Sequence, residues 1–186
     1  MHSRLIRALV LFLLPCLLLP GRVHAVGEPP ATPYTGLDIV FLVDQSGSMT
    51  GDPKYHPIPN DPGGWRFEAL KVIPNLIGPA LFHNYKEMTV RFAVVEFGTK
   101  AAVALPVTMI QARSFEEWRP QKAEIEQDLA DYRARREDTH MNNTDPREAF
   151  ELTRQIFNDM ESTDSSRRLK AIILVTDGSP CIPPLA

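Results

Sequence analysis

Two short apolar runs, residues 39–43 (Ile-Val-Phe-Leu-Val) and 171–175 (Ala-Ile-Ile-Leu-Val), interrupt the mixed polar and apolar pattern of the chain. Each reads as a fully buried β-strand, because a strand covered on both faces loses the in–out alternation. Each also ends abruptly in an acid, the first in Asp44-Gln45-Ser46-Gly47-Ser48 and the second in Thr176-Asp177-Gly178. Between them, residues 89–97 predict another strand and 101–107 a third, joined by Gly98-Thr99-Lys100 as a hairpin-like turn. Phe67, Leu70, Ile73, Ile77 and Leu81 form a helical stripe over 66–81, with Pro74 placed to kink or break it. In 114–138, Trp118, Ile125, Leu129 and Tyr132 fall on one helical face of a charge-rich stretch, and Ser114 with Glu117 suggests a capping box. Residues 138–143 are polar and turn-forming. Thr144-Asp145-Pro146 opens a last helix, with Ala149, Phe150, Ile156, Phe157 and Met160 as its buried face and a polar loop over 161–166.

Strands alternating with amphipathic helices predict an α/β fold: a Rossmann-like, doubly wound, mostly parallel sheet with helices on both faces. In such sheets the ligand crevice lies outside the carboxyl ends of the strands, where the strand order reverses. Asp44 and Asp177 would share that rim, and Thr144 can reach it from a neighbouring connection. Gly47 permits a tight turn in which Asp44, Ser46 and Ser48 converge. Taken singly, these residues have ordinary uses as helix caps or turn formers. Their joint placement is what suggests a site, and five oxygen donors suggest a hard cation.

Length and composition agree with one globular domain: 186 residues, 44% of them hydrophobic. The first 25 residues read differently. Arg4 and Arg7 precede an apolar run over 9–19, then Pro20-Gly21 and Val23-His24-Ala25, the pattern of a cleaved signal peptide rather than a transmembrane anchor. Lipidation at Cys16 is the alternative, and Pro15 before it argues against that. Residues 26–35, with Pro29, Pro30 and Pro33, form a linker. Cleavage after Ala25 takes the net charge from −3 to −6, seventeen basic residues against twenty-three acidic. That balance, without a basic stripe, speaks against nucleic-acid binding. Only Cys181 would remain, so no internal disulfide framework is expected. The Pro/Gly-rich stretch over 50–64 is expected to be irregular and to shape access to the oxygen cluster. His56 and His140 are expected to be solvated loop residues, because a hard cation prefers oxygen.

The segments Asp-Ile-Val-Phe-Leu-Val-Asp44-Gln-Ser46-Gly-Ser48-Met, Thr144-Asp-Pro-Arg-Glu-Ala-Phe and Ile-Ile-Leu-Val-Thr-Asp177-Gly resemble the von Willebrand factor A domain family from about Gly36 onward. The resemblance implies a metal-ion-dependent adhesion site. Ser46, Ser48 and Thr144 would bind the cation through hydroxyls, with Asp44 and Asp177 acting largely through water. The cation would be Mg²⁺, with Mn²⁺ or Ca²⁺ as alternatives. Mg²⁺ takes about six oxygens and releases its water reluctantly. Neutral hydroxyl ligands leave it electron-poor, so the Glu or Asp carboxylate of a partner protein can complete its shell. The expectation is therefore a non-enzymatic, exported, adhesion-type module without a membrane span. By the same resemblance the domain (36–186) reads as incomplete at its C-terminus and truncated after the fourth strand, which would leave 171–175 as an exposed apolar edge. Two alternatives stand beside this: a Mg²⁺-dependent phosphoryl-transfer or phosphatase-like enzyme using Asp44 as nucleophile, and an assembly module whose metal site is vestigial.

Overall fold

The run Ile39-Val40-Phe41-Leu42-Val43 has no polar side chain to offer water, so its strand must be covered on both faces. The computed structural model describes residues 34–51, 58–84, 88–136, 144–164 and 166–177, and there the run is the buried middle of strand β1 (Gly36–Asp44). β2 (Thr89–Phe97) and β4 (Arg168–Val175) flank β1 and run parallel to it, while β3 (Ala101–Ile110) pairs antiparallel with β2. The order is β3-β2-β1-β4. Asp44 lies opposite Phe97, and Val43 lies opposite Val175, so β1, β2 and β4 finish at one rim. The chain leaves β1 toward β2 and later returns to the other side of β1 as β4, which puts the reversal of strand order at β1–β4. This is the expected α/β architecture. β3 runs three residues beyond the expected strand and contains Pro106, which an edge strand tolerates because its outer amides need no partner.

The helices divide between the two faces. One face of the sheet, through Ile39, Phe41, Val43, Phe92 and Val94, packs against α2 (Trp65–Leu70), the turn that follows it, α3 (Gly78–Asn84) and α4 (Phe115–Arg136). The other face, through Val40, Leu42, Ala93, Val95 and Phe97, packs against α5 (Arg147–Thr163). A further single turn, α1 (Gly47–Thr50), follows β1 directly. Pro74 breaks the predicted helical stripe as expected. It has no N–H and its ring excludes the carbonyl four residues back, so Ile73–Ile77 forms a π turn in which the Gly78 N–H bonds Ile73 O. Trp118, Ile125, Leu129 and Tyr132 are all buried, as their spacing requires. The cap of α4 is shifted: Ser114 Oγ accepts the Glu117 N–H (3.2 Å), but the Glu117 carboxylate takes the Arg113 N–H (2.8 Å) instead of that of Ser114.

Three expectations are corrected. Phe150 is 45% exposed, and Thr153 takes its place on the buried stripe of α5, its hydroxyl donating to Ala149 O at 2.7 Å. The stripe runs through Ala149, Thr153, Ile156, Phe157 and Met160, and Phe150 sits about 100° around the helix from Ala149. α5 continues to Thr163, so residues 161–163 are helix rather than loop. β4 is not a fully buried strand: Ile172 and Leu174 are 44% and 45% exposed. It is an edge of the sheet among the described residues; α5 covers Val40 and Leu42 opposite them and meets β4 near its start, through Lys170, which pairs with Glu161 and lies over the Phe157 ring, while Ile172 and Leu174 stay half exposed. The readings for residues 1–33, His56, 138–143 (which include His140) and Cys181 lie outside the described residues. No helix among those described is long and apolar enough to cross a membrane.

At the amino end of the sheet, buried Asp38 accepts two hydrogen bonds from Arg91 (2.8 and 2.7 Å) and one from Arg168 (2.7 Å). Arg91 also donates to Met160 O at the end of α5, and Arg168 to Leu37 O and Thr89 O, so the cluster ties three strands to a helix. Burial by itself would raise the Asp38 carboxyl. The two guanidinium groups outweigh that through hydrogen bonds and charge, and hold it below the usual carboxylate range. A depressed folded-state value stabilises the fold at any pH above the unfolded value of about 3.9, and that contribution disappears as pH falls through the folded value. Asp38→Asn is expected to lower stability by about 3–5 kcal/mol in urea unfolding at pH 7, because it leaves buried guanidinium charge uncompensated. The gap between wild type and variant should narrow below about pH 4. A second test concerns Gly78, where a Cβ would sit inside the contact distance of the Trp118 ring. Alanine improves helix propensity by about 1 kcal/mol, yet overpacking costs about 1–3 kcal/mol. Gly78→Ala should therefore show a net loss in the same unfolding measurement.

Candidate functional site

Asp44 is the last residue of β1, and the chain turns immediately after it. The Ser46 N–H donates to Asp44 Oδ1 (2.8 Å), an Asx-type turn that folds the serine back over the strand end. Ser46 Oγ and Ser48 Oγ are 3.0 Å apart. The turn is then held by α1, where Thr50 N–H and Gly51 N–H bond Ser46 O and Gly47 O. Three of the predicted oxygen donors therefore converge, with Asp44 and Ser46 fully buried.

Asp177 arrives by way of β4, whose parallel register with β1 brings the next residues alongside Asp44. Thr176 Oγ1 donates to Asp44 Oδ2 at 2.7 Å, linking the two strand ends directly. Thr144 is buried on the far side. The Gln45 N–H bonds Phe97 O (2.7 Å) and the Asp145 N–H bonds Gly98 O (3.1 Å). The immediate neighbours of Asp44 and Thr144 thus hold successive carbonyls at the end of β2, which places Thr144 on the same rim.

Burial pushes the Asp44 carboxyl above its ordinary range. Hydrogen bonds from Ser46 and Thr176 oppose the rise, and the charge of Asp177 adds to it. Among the described residues no Lys or Arg pairs with Asp44 or Asp177, and no three His, Cys, Asp or Glu side chains cluster as a metal site of their own. The donor set is thus two carboxylates and three hydroxyls, oxygen only. It fits a hard divalent cation, which would compensate the buried carboxylate, and it does not fit a thiophilic or imidazole-seeking metal.

Three features of the rim were not foreseen from the sequence. Thr176 bonds Asp44, as above. Asn60, in the Pro/Gly-rich segment, donates its side-chain amide to Asp177 Oδ2 (2.9 Å) and its backbone N–H to Ser48 O (2.7 Å). Gln45, between two predicted site residues, points inward: its amide donates to Tyr132 Oη (2.8 Å) on α4, and its carbonyl accepts from Arg66 Nε (3.1 Å). Arg66 pairs in turn with Asp61 (2.7 Å), a buried ion pair. Proximity of Thr176 to Asp177 in sequence was a usable signal; for Asn60 and Gln45 there was none, because their partners lie far along the chain.

A family model for the von Willebrand factor type A domain matches residues 38–182. The chain belongs to that family. Among curated proteins, none matches it in sequence. Similar solved structures include the vWF domain of the type V pili tip protein Mfa5 from Porphyromonas gingivalis (18% identity, TM-score 0.42, covering 79% of this chain and 39% of that one). Three N-terminal domains of the same Mfa5 protein give 19% identity and a TM-score of 0.41 over 77% of this chain and 20% of that one. The pilus adhesin SpaC from Lactobacillus rhamnosus GG gives 19% and 0.45 over 80% and 16%. The chain spans well under half the length of each of these proteins.

In this von Willebrand factor A domain the inner layer of the rim depends on a buried phenol. Burial raises Tyr132 to about 12, with Gln45 and the charges of Arg66 and Arg135 pulling it part of the way back, so it is a neutral partner for Gln45 at working pH. Tyr132→Phe leaves the fully buried Gln45 amide without that partner. A loss of about 1–3 kcal/mol is expected in urea unfolding.

Proposed function

We propose that this domain is an exported protein-binding module that captures a Glu or Asp carboxylate of a partner protein through a divalent cation held by Asp44, Ser46, Ser48, Thr144 and Asp177. The observation that carries the reading is the convergence of Asp44, Ser46 and Ser48 at the end of β1 beside the end of β4, with no described Lys or Arg paired to either acid. Membership in the von Willebrand factor A family, a protein-interaction domain, supports it. A bound cation would supply an electrophilic position at which a partner carboxylate can bind. The chain's own residues do the rest. Ser46, Ser48 and Thr144 offer neutral oxygens, Asp44 and Asp177 supply the charge, and the Asx-type turn fixes the spacing of Asp44, Ser46 and Ser48.

The metal is Mg²⁺ in this reading, with Mn²⁺ and Ca²⁺ able to use the same oxygens. Export rests on the signal-like residues 1–25. A phosphoryl-transfer role for Asp44 is the weaker reading: that chemistry wants a second acid beside the nucleophile and a Lys to neutralise phosphate, whereas positions 46 and 48 are serines and no described Lys or Arg pairs with Asp44.

Calorimetric titration with Mg²⁺ and Mn²⁺ tests the assignment. Wild type should bind one equivalent, and Asp44→Ala and Asp177→Ala should each bind at least about tenfold more weakly. Equal binding by all three proteins would sink it.

A further inference from the structure

The Pro/Gly-rich stretch over 50–64 is irregular by its sequence, yet its described end is held on two sides. Asn60 reaches both strand-end segments of the site, through its backbone N–H to Ser48 O (2.7 Å) and its side-chain Nδ2 to Asp177 Oδ2 (2.9 Å). The next residue, Asp61, faces the other way. Its carboxylate accepts the Trp65 and Arg66 backbone N–H groups at the start of α2 and pairs with the Arg66 guanidinium, which holds Gln45. Pro59 packs against Gly51, whose φ of +84° lets the chain turn back there.

We propose that Asn60 is a positioning residue of the cation site, orienting the Asp177 carboxylate and fixing the Ser48 turn against it. The proposal rests on the cation-site reading above. A neutral amide suits this task. It engages one oxygen of Asp177 and restricts rotation of the carboxylate, but unlike Arg or Lys it does not neutralise the charge a cation needs. Partners that orient ligand groups in this way commonly change metal affinity by about 10–100-fold when removed. Asp177 is exposed, so its side chain depends on such a contact more than buried Asp44 does.

The test compares wild type, Asn60→Ala, Asn60→Asp and Asp44→Ala by calorimetry with Mg²⁺ and Ca²⁺, and by thermal melting in a chelator. Asn60→Ala should bind Mg²⁺ about 10–100-fold more weakly, while melting in chelator as wild type does, because the lost bond is exposed and the backbone bond to Ser48 survives. Asn60→Asp sets a carboxylate against Asp177; it should melt lower than wild type in chelator and recover in saturating Ca²⁺. Mg²⁺ binding by Asn60→Ala within twofold of wild type, with Asp44→Ala defective, would overturn the role of Asn60 and leave the site reading intact. An affinity loss in Asn60→Ala accompanied by an equally lowered melting point in chelator would also overturn it, as a general structural effect. No binding by wild type would overturn both.

Discussion

A strand buried on both faces can offer no side chain to water along its length, so its polar groups collect at its ends. β1 obeys this closely: Asp38 near one end and Asp44 at the other, with Ile39 to Val43 between them in the core. Its neighbours β2 and β4 run parallel to it and are reached through helical connections, which cover the two faces. Parallel pairing in turn brings the ends of all three strands to one rim. The location of the candidate site is thus a consequence of how β1 is paired.

The two acids of β1 point to the same face six residues apart, yet their surroundings are opposite. Asp38 is surrounded by two guanidinium groups and is held below the usual range, whereas Asp44 receives only neutral donors, stands near a second acid and is raised. A buried carboxylate that is fully compensated by its own chain has a structural use and little capacity left to bind anything. One that is buried without compensation is destabilising unless something else brings positive charge. The contrast between the ends of a single strand separates the anchor of this fold from its candidate binding end without reference to any relative.

Most of that frame was legible in the sequence because it is written in local pattern. The unbroken apolar runs gave the strands, the acids and hydroxyls after them gave the rim, and the family segments gave Thr144 as the distant member. What could not be read was whatever depends on which element covers which. Phe150 looked like a core residue by composition, but one step around α5 takes it off the stripe. The 171–175 run looked like a buried strand because its residues are apolar, and an exposed edge was expected only from the family resemblance; its burial is set by what lies over Ile172 and Leu174. Glu117 matched a capping pattern whose carboxylate settles one residue earlier, a difference of backbone geometry and not of residue type.

Asn60, Gln45 and Arg66 were invisible for the same reason, and together they change the view of the loop that contains the first of them. The contacts close a ring: Asp44 is joined to Gln45 by the chain, Gln45 to Arg66 and Arg66 to Asp61 by side chains, and Asp61 to Asn60 by the chain. Asn60 then meets Asp177, and Thr176 returns to Asp44. In an open chain of hydrogen bonds an end member can drift at little cost. In a closed ring, displacement of any one member strains or breaks a bond elsewhere. Tyr132 fixes the ring to α4 through Gln45, and so to the core. A binding site whose donors are already ordered loses less conformational freedom when a ligand arrives. A Pro/Gly-rich segment that looks in sequence like slack chain is, at its end, part of what orders the rim.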